Sequence, residues 1–360
     1  MPLKLVKKQE NLLLSNKTMM NVRIILTFIF VLVLFNSSTI YAQSISKTGT
    51  SAGSFLQIPV GAQGSGMGGA VVAHVNDATS MFWNPAGLAD VTKTELIIEY
   101  ADWFVDITHN YFGVAVPTEK GVIGINAIAL TMGEFDETTY DAPEGTGRTF
   151  SAYMLSGGVS YAQYLIDGFR LGGSLKFVHE KIAETSATAF AFDIGTIYKL
   201  PFKDIRFGVS ITNVGTESQL DGDGLIVPVD IADDIDGNYI SDSKLATDAF
   251  SLPINLKVGF AGEVYKTEDF RATLSIDGNN PSDNVQSLSI GTEISFLKDL
   301  FLIRAGIPYL GMEDRVQQYN FGVGINRGFN RNSMTLKFGY SFESYEYLSS
   351  VNRVSLQIFF

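Results

Sequence analysis

The chain reads as an all-β protein, a 14-stranded antiparallel transmembrane β-barrel with an N-terminal plug, and three observations lead there. The stretch from Tyr319 to Phe360 switches between apolar and polar at every second position. Tyr319, Phe321, Val323 and Ile325 alternate with Asn320, Gly322, Gly324 and Asn326, and Met334, Leu336, Phe338, Tyr340 and Phe342 alternate with Thr335, Lys337, Gly339, Ser341 and Glu343. Successive side chains of a strand point to opposite faces, so each segment has one greasy face and one small or polar face. These segments also run to roughly nine residues or more, the length a tilted strand needs to cross a bilayer, whereas strands of soluble sheets average about five or six. Finally, short and long connections take turns along the chain, as in barrels with tight turns at one membrane face and longer loops at the other.

Taken in order, the chain of 360 residues begins with a leader. Arg23 precedes an apolar run from Ile24 to Phe35, too short for a membrane helix, followed by Asn36 to Gln43. Such a run reads as a signal-peptide core with cleavage after Ala42, so residues 1–42 comprise an upstream extension and a removed leader, and the segment before Met19 or Met20 a misassigned start. There is no cysteine, which excludes disulfides, thiolate metal sites and a lipoprotein anchor. Removing Lys4, Lys7, Lys8, Lys17 and Arg23 with Glu10 makes the exported chain more acidic than the −12 of the whole. A surface of that sign repels phosphate backbones and argues against nucleic acid as a partner.

Residues 43–93 lack the alternation and form the expected plug. They contain Gly61-Ala62-Gln63-Gly64-Ser65-Gly66-Met67-Gly68-Gly69-Ala70 and Asp77-Ala78-Thr79-Ser80-Met81-Phe82-Trp83-Asn84-Pro85-Ala86-Gly87-Leu88-Ala89. Gly64, Gly66 and Gly69 match G-x-G-x-x-G, but no buried strand precedes them and no helix follows. A compact segment in close contact with other backbone is therefore expected, without a dinucleotide or other cofactor. An irregular segment cannot face lipid, so its backbone must be satisfied inside the barrel. The run Gly66, Met67, Gly68, Gly69 followed by Trp83, Asn84, Pro85, Ala86 and Gly87 resembles the amino-terminal region of the PorV/PorQ family, within the class of barrels similar to the long-chain fatty-acid transporter. The resemblance implies that Asn84, Pro85 and Ala86 lie in a hatch that plugs the lumen.

Residues 94–360 form the barrel. Strands are expected near Thr94–Ala101, Thr108–Val116, Val122–Thr131, Phe150–Tyr164, Phe169–Ile182, Ala187–Lys199, Ile205–Asn213, Leu252–Tyr265, Phe270–Asp277, Val285–Phe296, Phe301–Ile307, Gln317–Asn326, Met334–Glu343 and Val354–Phe360. Connections after even strands are tight, and those after odd strands include the longest, Met132 to Thr149 and Val214 to Ser251. With the first strand rising from the periplasm, the long ones face outward. By the same alternation Ser174, Lys176, Asp193, Arg271, Glu293, Arg304 and Lys337 face inward, where charges of both signs pair rather than form a single-sign ion pore. The inward positions read as mostly polar, Gly or Ala. The closing strand, with Leu356, Ile358 and Phe360, resembles the carboxy-terminal signature of outer-membrane barrels.

Catalytic chemistry is not indicated. His74, His109 and His179 have no spacing that links them to a nucleophile or to a second metal ligand, so neither an enzyme nor a metal centre is expected. The long acidic loop offers a docking surface through Asp221, Asp223, Leu225, Ile226, Val227, Asp233, Asp234 and Asp236. Asp234-Ile235-Asp236-Gly237-Asn238 begins like a calcium loop, but Tyr239 and Leu245 occupy the positions of the turn glycine and the bidentate Glu. Bridging to lipopolysaccharide through loosely held cations stays open. Two functions follow from the resemblance. One is an outer-membrane protein of the type IX secretion pathway that binds secretion components or cargo signal domains through its outer loops. The other is uptake of long-chain fatty acids or other hydrophobic small molecules, with a hydrophobic ligand as partner.

Overall fold

A computed structural model describes residues 47–201, 204–230, 240–329 and 334–360. The leader expected at residues 1–42 lies outside these. Fourteen long strands follow one another: β1 (Glu95–Asp102), β2 (Thr108–Pro117), β3 (Val122–Asp136), β4 (Thr149–Ile166), β5 (Phe169–Ile182), β6 (Thr185–Lys199), β7 (Arg206–Gly215), β8 (Asn255–Lys266), β9 (Phe270–Pro281), β10 (Ser287–Phe296), β11 (Phe301–Leu310), β12 (Gln317–Phe329), β13 (Met334–Tyr345) and β14 (Val351–Phe359). Each pairs antiparallel with the next, and β14 returns to β1 in a ladder from Glu95↔Phe359 to Asp102↔Asn352. The sheet thus has no open edge, the condition for strands to span lipid.

The two faces differ as the alternation requires. On β6, Phe190, Phe192 and Ile194 are exposed outward, while Ala189, Ala191 and Asp193 are buried inward. Leu356 on β14 and Phe321 and Val323 on β12 continue the outer apolar belt. Aromatic rings collect on this face near the short-turn end: Phe169 lies 6.4 Å from Tyr198, and Phe270 5.3 Å from Phe296. Such girdles sit where apolar side chains meet lipid headgroups.

Strands run past their expected ends. β3 continues to Asp136 and β9 to Pro281, because ladder hydrogen bonds persist after the hydrophobic pattern stops. The connection expected as a loop from Val214 to Ser251 carries short ribbons. Ser218–Gln219 pairs with Ala249–Phe250, Asp221–Gly222 extends β6 by pairing with Thr185 and Ser186, and Ile226–Asp230 pairs with Ile240–Lys244. The eighth strand accordingly begins at Asn255 rather than Leu252.

Residues 53–91 lie against the inner face as a chain of short turns. They comprise a 3-10 turn Ser54–Gln57, the helices α1 (Ala62–Gly66) and α2 (Ser80–Trp83), and a 3-10 turn Pro85–Asp90. Asn84 caps the last turn by accepting from the Ala86 amide at 3.2 Å, with Pro85 at its first position, where a missing N–H costs nothing.

Candidate functional site

The lumen is the candidate site, formed where residues 53–91 meet the wall. Close approach is secured by glycine at both surfaces. A Cβ on Gly195 would overlap the Asn84 carboxamide, and one on Gly208 would fall 2.6 Å from the Val72 carbonyl oxygen. The glycines of the G-x-G-x-x-G match serve the same end. A Cβ on Gly64 would meet the Trp83 indole at 2.6 Å, and one on Gly66 the Gly322 backbone at 3.1 Å.

Polar wall residues bind the segment's backbone, which its irregular shape leaves without internal partners. Three carboxylates each accept one amide: Glu99 from Gly61 at 2.6 Å, Asp277 from Val72 at 2.8 Å, and Glu95 from Ala78 at 3.0 Å. Asn320 donates to the Ser65 carbonyl at 2.6 Å, Tyr111 to that of Ala78 at 3.0 Å, and Ser210 to that of Trp83 at 3.1 Å. Asn84 donates to Val72 within the segment at 2.8 Å and to Thr196 on β6 at 3.2 Å. The Lys257 ammonium lies 4.6 Å from the Trp83 ring centroid, in cation–π contact.

Many of the inward charges are paired. Arg353 bridges Glu99 at 2.6 Å and Glu343 at 3.2 Å, fully buried. Arg304 and Arg271 share Glu293 at 2.8 and 3.0 Å, and Lys176 meets Asp193 at 2.8 Å. This agrees with the inward placement expected for Lys176, Asp193, Arg271, Glu293 and Arg304.

The expectation that inward positions are mostly polar, Gly or Ala holds on β1 to β5 as on β8 to β13. Glu95, Glu99, Asn126, Ser156, Ser160, Ser174 and Lys176 lie inward on the former, but β1, β2, β3 and β5 also carry a minority of large apolar side chains. There Ile97, Tyr111, Val122, Ile128, Leu130 and Val178 point inward and are buried. With Phe55, Leu56, Val60, Met81, Leu88, Val91 and Leu252 they form one contiguous apolar cluster. It reaches from Leu130 and Leu252, near the long-loop end, to Val122, beside the short-turn end. Alternation concealed these residues, because β3 is apolar on both faces around Val122, Ile123 and Ile125 and the others are scattered singly among polar inward positions. A run such as Val122-Ile123-Gly124-Ile125 was the available signal.

The residues singled out by sequence divide into three places. Met67 and Trp83 pack together with Val71 and Val75, and Gly69 borders the Trp83 ring, so Gly66, Met67, Gly68, Gly69, Trp83, Asn84, Pro85, Ala86 and Gly87 converge inside the barrel. Asp221, Asp223, Leu225, Ile226 and Val227 lie apart at the long-loop end, where Asp221 pairs with Lys244 and the Leu225 carbonyl accepts from Leu245 at 2.9 Å. Asp233, Asp234 and Asp236 lie outside the described residues. Leu356 and Ile358 belong to the outer face of β14, and the Phe360 amide donates to the Thr94 carbonyl at 2.9 Å. The three histidines sit in separate packed environments: His74 against Arg206, His109 against Arg353, and His179 stacked on Phe177.

At the long-loop end the segment is pinned to the rim. Asp283 accepts from the Ser51 hydroxyl at 2.7 Å and the Gln57 carboxamide at 2.9 Å, and the Ala52 amide donates to the Ser251 carbonyl at 3.1 Å.

No family model and no curated protein matches the chain in sequence. Solved structures match it in fold. A Pseudomonas putida toluene transporter, TodX, superposes with TM-score 0.54 at 12% identity, covering 83% of this chain and 96% of that one. A monoaromatic hydrocarbon channel, CymD, gives 0.53 at 14% identity over 84% and 96%. A Pseudomonas aeruginosa FadL homologue gives 0.52 at 12% identity over 84% and 98%. The chain therefore has the closed, fourteen-stranded barrel fold that these FadL-like proteins share.

Proposed function

We propose that this protein is an outer-membrane channel for hydrophobic small molecules, with residues 53–91 as its plug and a cleavable leader that directs export. The contiguous apolar cluster that Ile97, Ile128, Leu130 and Val178 of the wall form with residues 55–91 carries this reading, since a solute with no polar groups needs a surface that does not demand hydrogen bonds. The similar folds named as a toluene transporter and a monoaromatic hydrocarbon channel support it. The test is uptake of a hydrophobic probe by cells lacking the gene and complemented with wild type, Ile128→Asp or Leu130→Asp. Wild type restores uptake and the two variants do so several-fold less, at equal amounts of heat-modifiable protein. Equal uptake with and without the gene rejects the reading.

A second reading rests on the ribbon at residues 216–250. Ile226, Val229 and Leu245 are exposed there among carboxylates, a surface suited to docking secretion components or cargo, or to lipopolysaccharide through bridging cations. Deleting Asp221 to Ser243 then abolishes co-purification of partners and cargo delivery while leaving probe uptake intact. Unchanged delivery counts against it.

A further inference from the structure

We propose that an open cavity at the long-loop end, beside the β11–β12 and β13–β14 connections and apart from the lumen, binds an uncharged saccharide. The cavity has a volume of about 310 Å³ and is lined by Leu310, Met312, Glu313, Arg315, Gln318 and Glu346. Irregular backbone builds it. The ladder of β11 with β12 stops at Gly306↔Asn320, although β11 runs on to Leu310 and β12 begins at Gln317, so the two strands part beyond that pair. Each is also irregular against its other neighbour, β11 against β10 between Ile307 and Leu310, and β12 against β13 between Gln317 and Asn320. Within the first irregularity Tyr309 takes a left-handed φ of 55°, unfavourable for a residue with a Cβ. Bulges re-aim side chains, and backbone strain of this kind collects at ligand sites.

The polar groups suit hydroxyls better than a charge. Among the described residues the Arg315 side chain donates only to Gln318, through Nη2 at 3.3 Å, and Nη1 has no acceptor although Glu313 and Glu346 line the same cavity. The Gln318 carboxamide donates in turn to Glu346 at 2.8 Å and to the Arg315 carbonyl at 3.3 Å, so it holds cation and carboxylate in place without joining them. An anion would gain Arg315 but face two carboxylates. A cation would be opposed by Arg315, and exposed ion pairs contribute little in water. A hydroxyl both donates and accepts, so neighbouring hydroxyls of one sugar ring can serve a guanidinium, an amide and a carboxylate together. Leu310 and Met312 offer apolar surface to the C–H groups of the ring. Tyr319, next to Gln318, is exposed on the outer apolar belt, which sets the cavity at the level where headgroups begin.

The test is saturation-transfer NMR on the protein refolded from denaturant into nanodiscs of phospholipid alone. Glucose, galactose, mannose and N-acetylglucosamine are the neutral probes, with glycylglycine as the zwitterion and inorganic phosphate as the anion. At least one neutral sugar is expected to saturate. Arg315→Ala and Gln318→Ala should each raise its half-saturation about fivefold, the loss of one hydrogen bond, with the heat-dependent mobility shift unchanged. Lipopolysaccharide added to the nanodisc that abolishes the signal identifies a headgroup sugar as the occupant, and a signal that persists identifies a free saccharide. Saturation by no neutral sugar overturns the proposal, as does tighter binding of phosphate or glycylglycine, or a half-saturation unchanged in both variants.

Discussion

At the scale of single residues, Arg353 concentrates the largest electrostatic risk in the barrel. Its guanidinium holds two buried carboxylates from β1 and β13, and one of these also anchors the Gly61 amide. Arg353→Met leaves both acids unpaired, and breaking a buried pair from one side costs about 3–5 kcal/mol. Urea unfolding in lipid vesicles should show a loss of that size, and Glu99→Gln with Glu343→Gln in the same chain should recover most of it. A variant as stable as wild type would show that water reaches the triad. Outside the membrane, Arg148 and then Thr146 bond Glu137 and hold its carboxyl at about 2. A depressed value means that the contact contributes above the ordinary carboxylate range and is lost as pH falls through about 2. Titration of the carboxyl carbon by NMR should therefore show a midpoint that Arg148→Gln returns toward the ordinary value. Individual inward charges such as Lys176 and Glu293 were legible in the sequence, because each sits among outward apolar neighbours. Their partners were not, since Asp193 meets Lys176 across a strand pairing whose register is a property of the folded sheet.

At the scale of elements, the fit between the inner segment and its wall depends on places without side chains. Gly195→Val would drive two methyl groups into Asn84 and the turn that follows. The expected result is a barrel that still shifts in mobility on heating but whose residues 53–91 are cut by added protease, which wild type resists. Full resistance would mean that the turn has room to shift. All fourteen strands were foreseeable from period-two patterning and tight connections. Their ends were not, because β3 and β9 continue as ladders through Gly133 to Asp136 and Asn279 to Pro281, where no hydrophobic alternation remains. The pairing of Ile226–Asp230 with Ile240–Lys244 was hidden for the related reason that both strands are mostly exposed and bury no apolar face.

At the scale of the whole molecule, the lumen holds two kinds of packing. Salt bridges and hydrogen bonds run around it, through Glu99 and Lys176 as well as Arg304 and Glu293, while one apolar cluster gathers Ile97, Tyr111, Ile128, Leu130 and Val178 around residues 55–91. Protease added to intact cells should cut within residues 216–250 if the long-loop end faces outward. Cleavage only after the outer membrane is opened would reverse the orientation. Composition could not disclose the cluster, because its inward members share the same alternating pattern with the polar ones and differ only in what the inward residue is.

The junction of β1 with β14 governs how such a molecule can come into being. β1 follows the inner segment directly, and its partner β14 comes far later in the chain, fastened through Phe360 to Thr94. Until that final zipping, the cylinder is an open trough with its future contents attached to one rim. Wrapping around cargo already in hand, rather than threading it afterwards through a finished hoop, is the simpler order of assembly, and it makes the inner segment a template for the curvature of the walls.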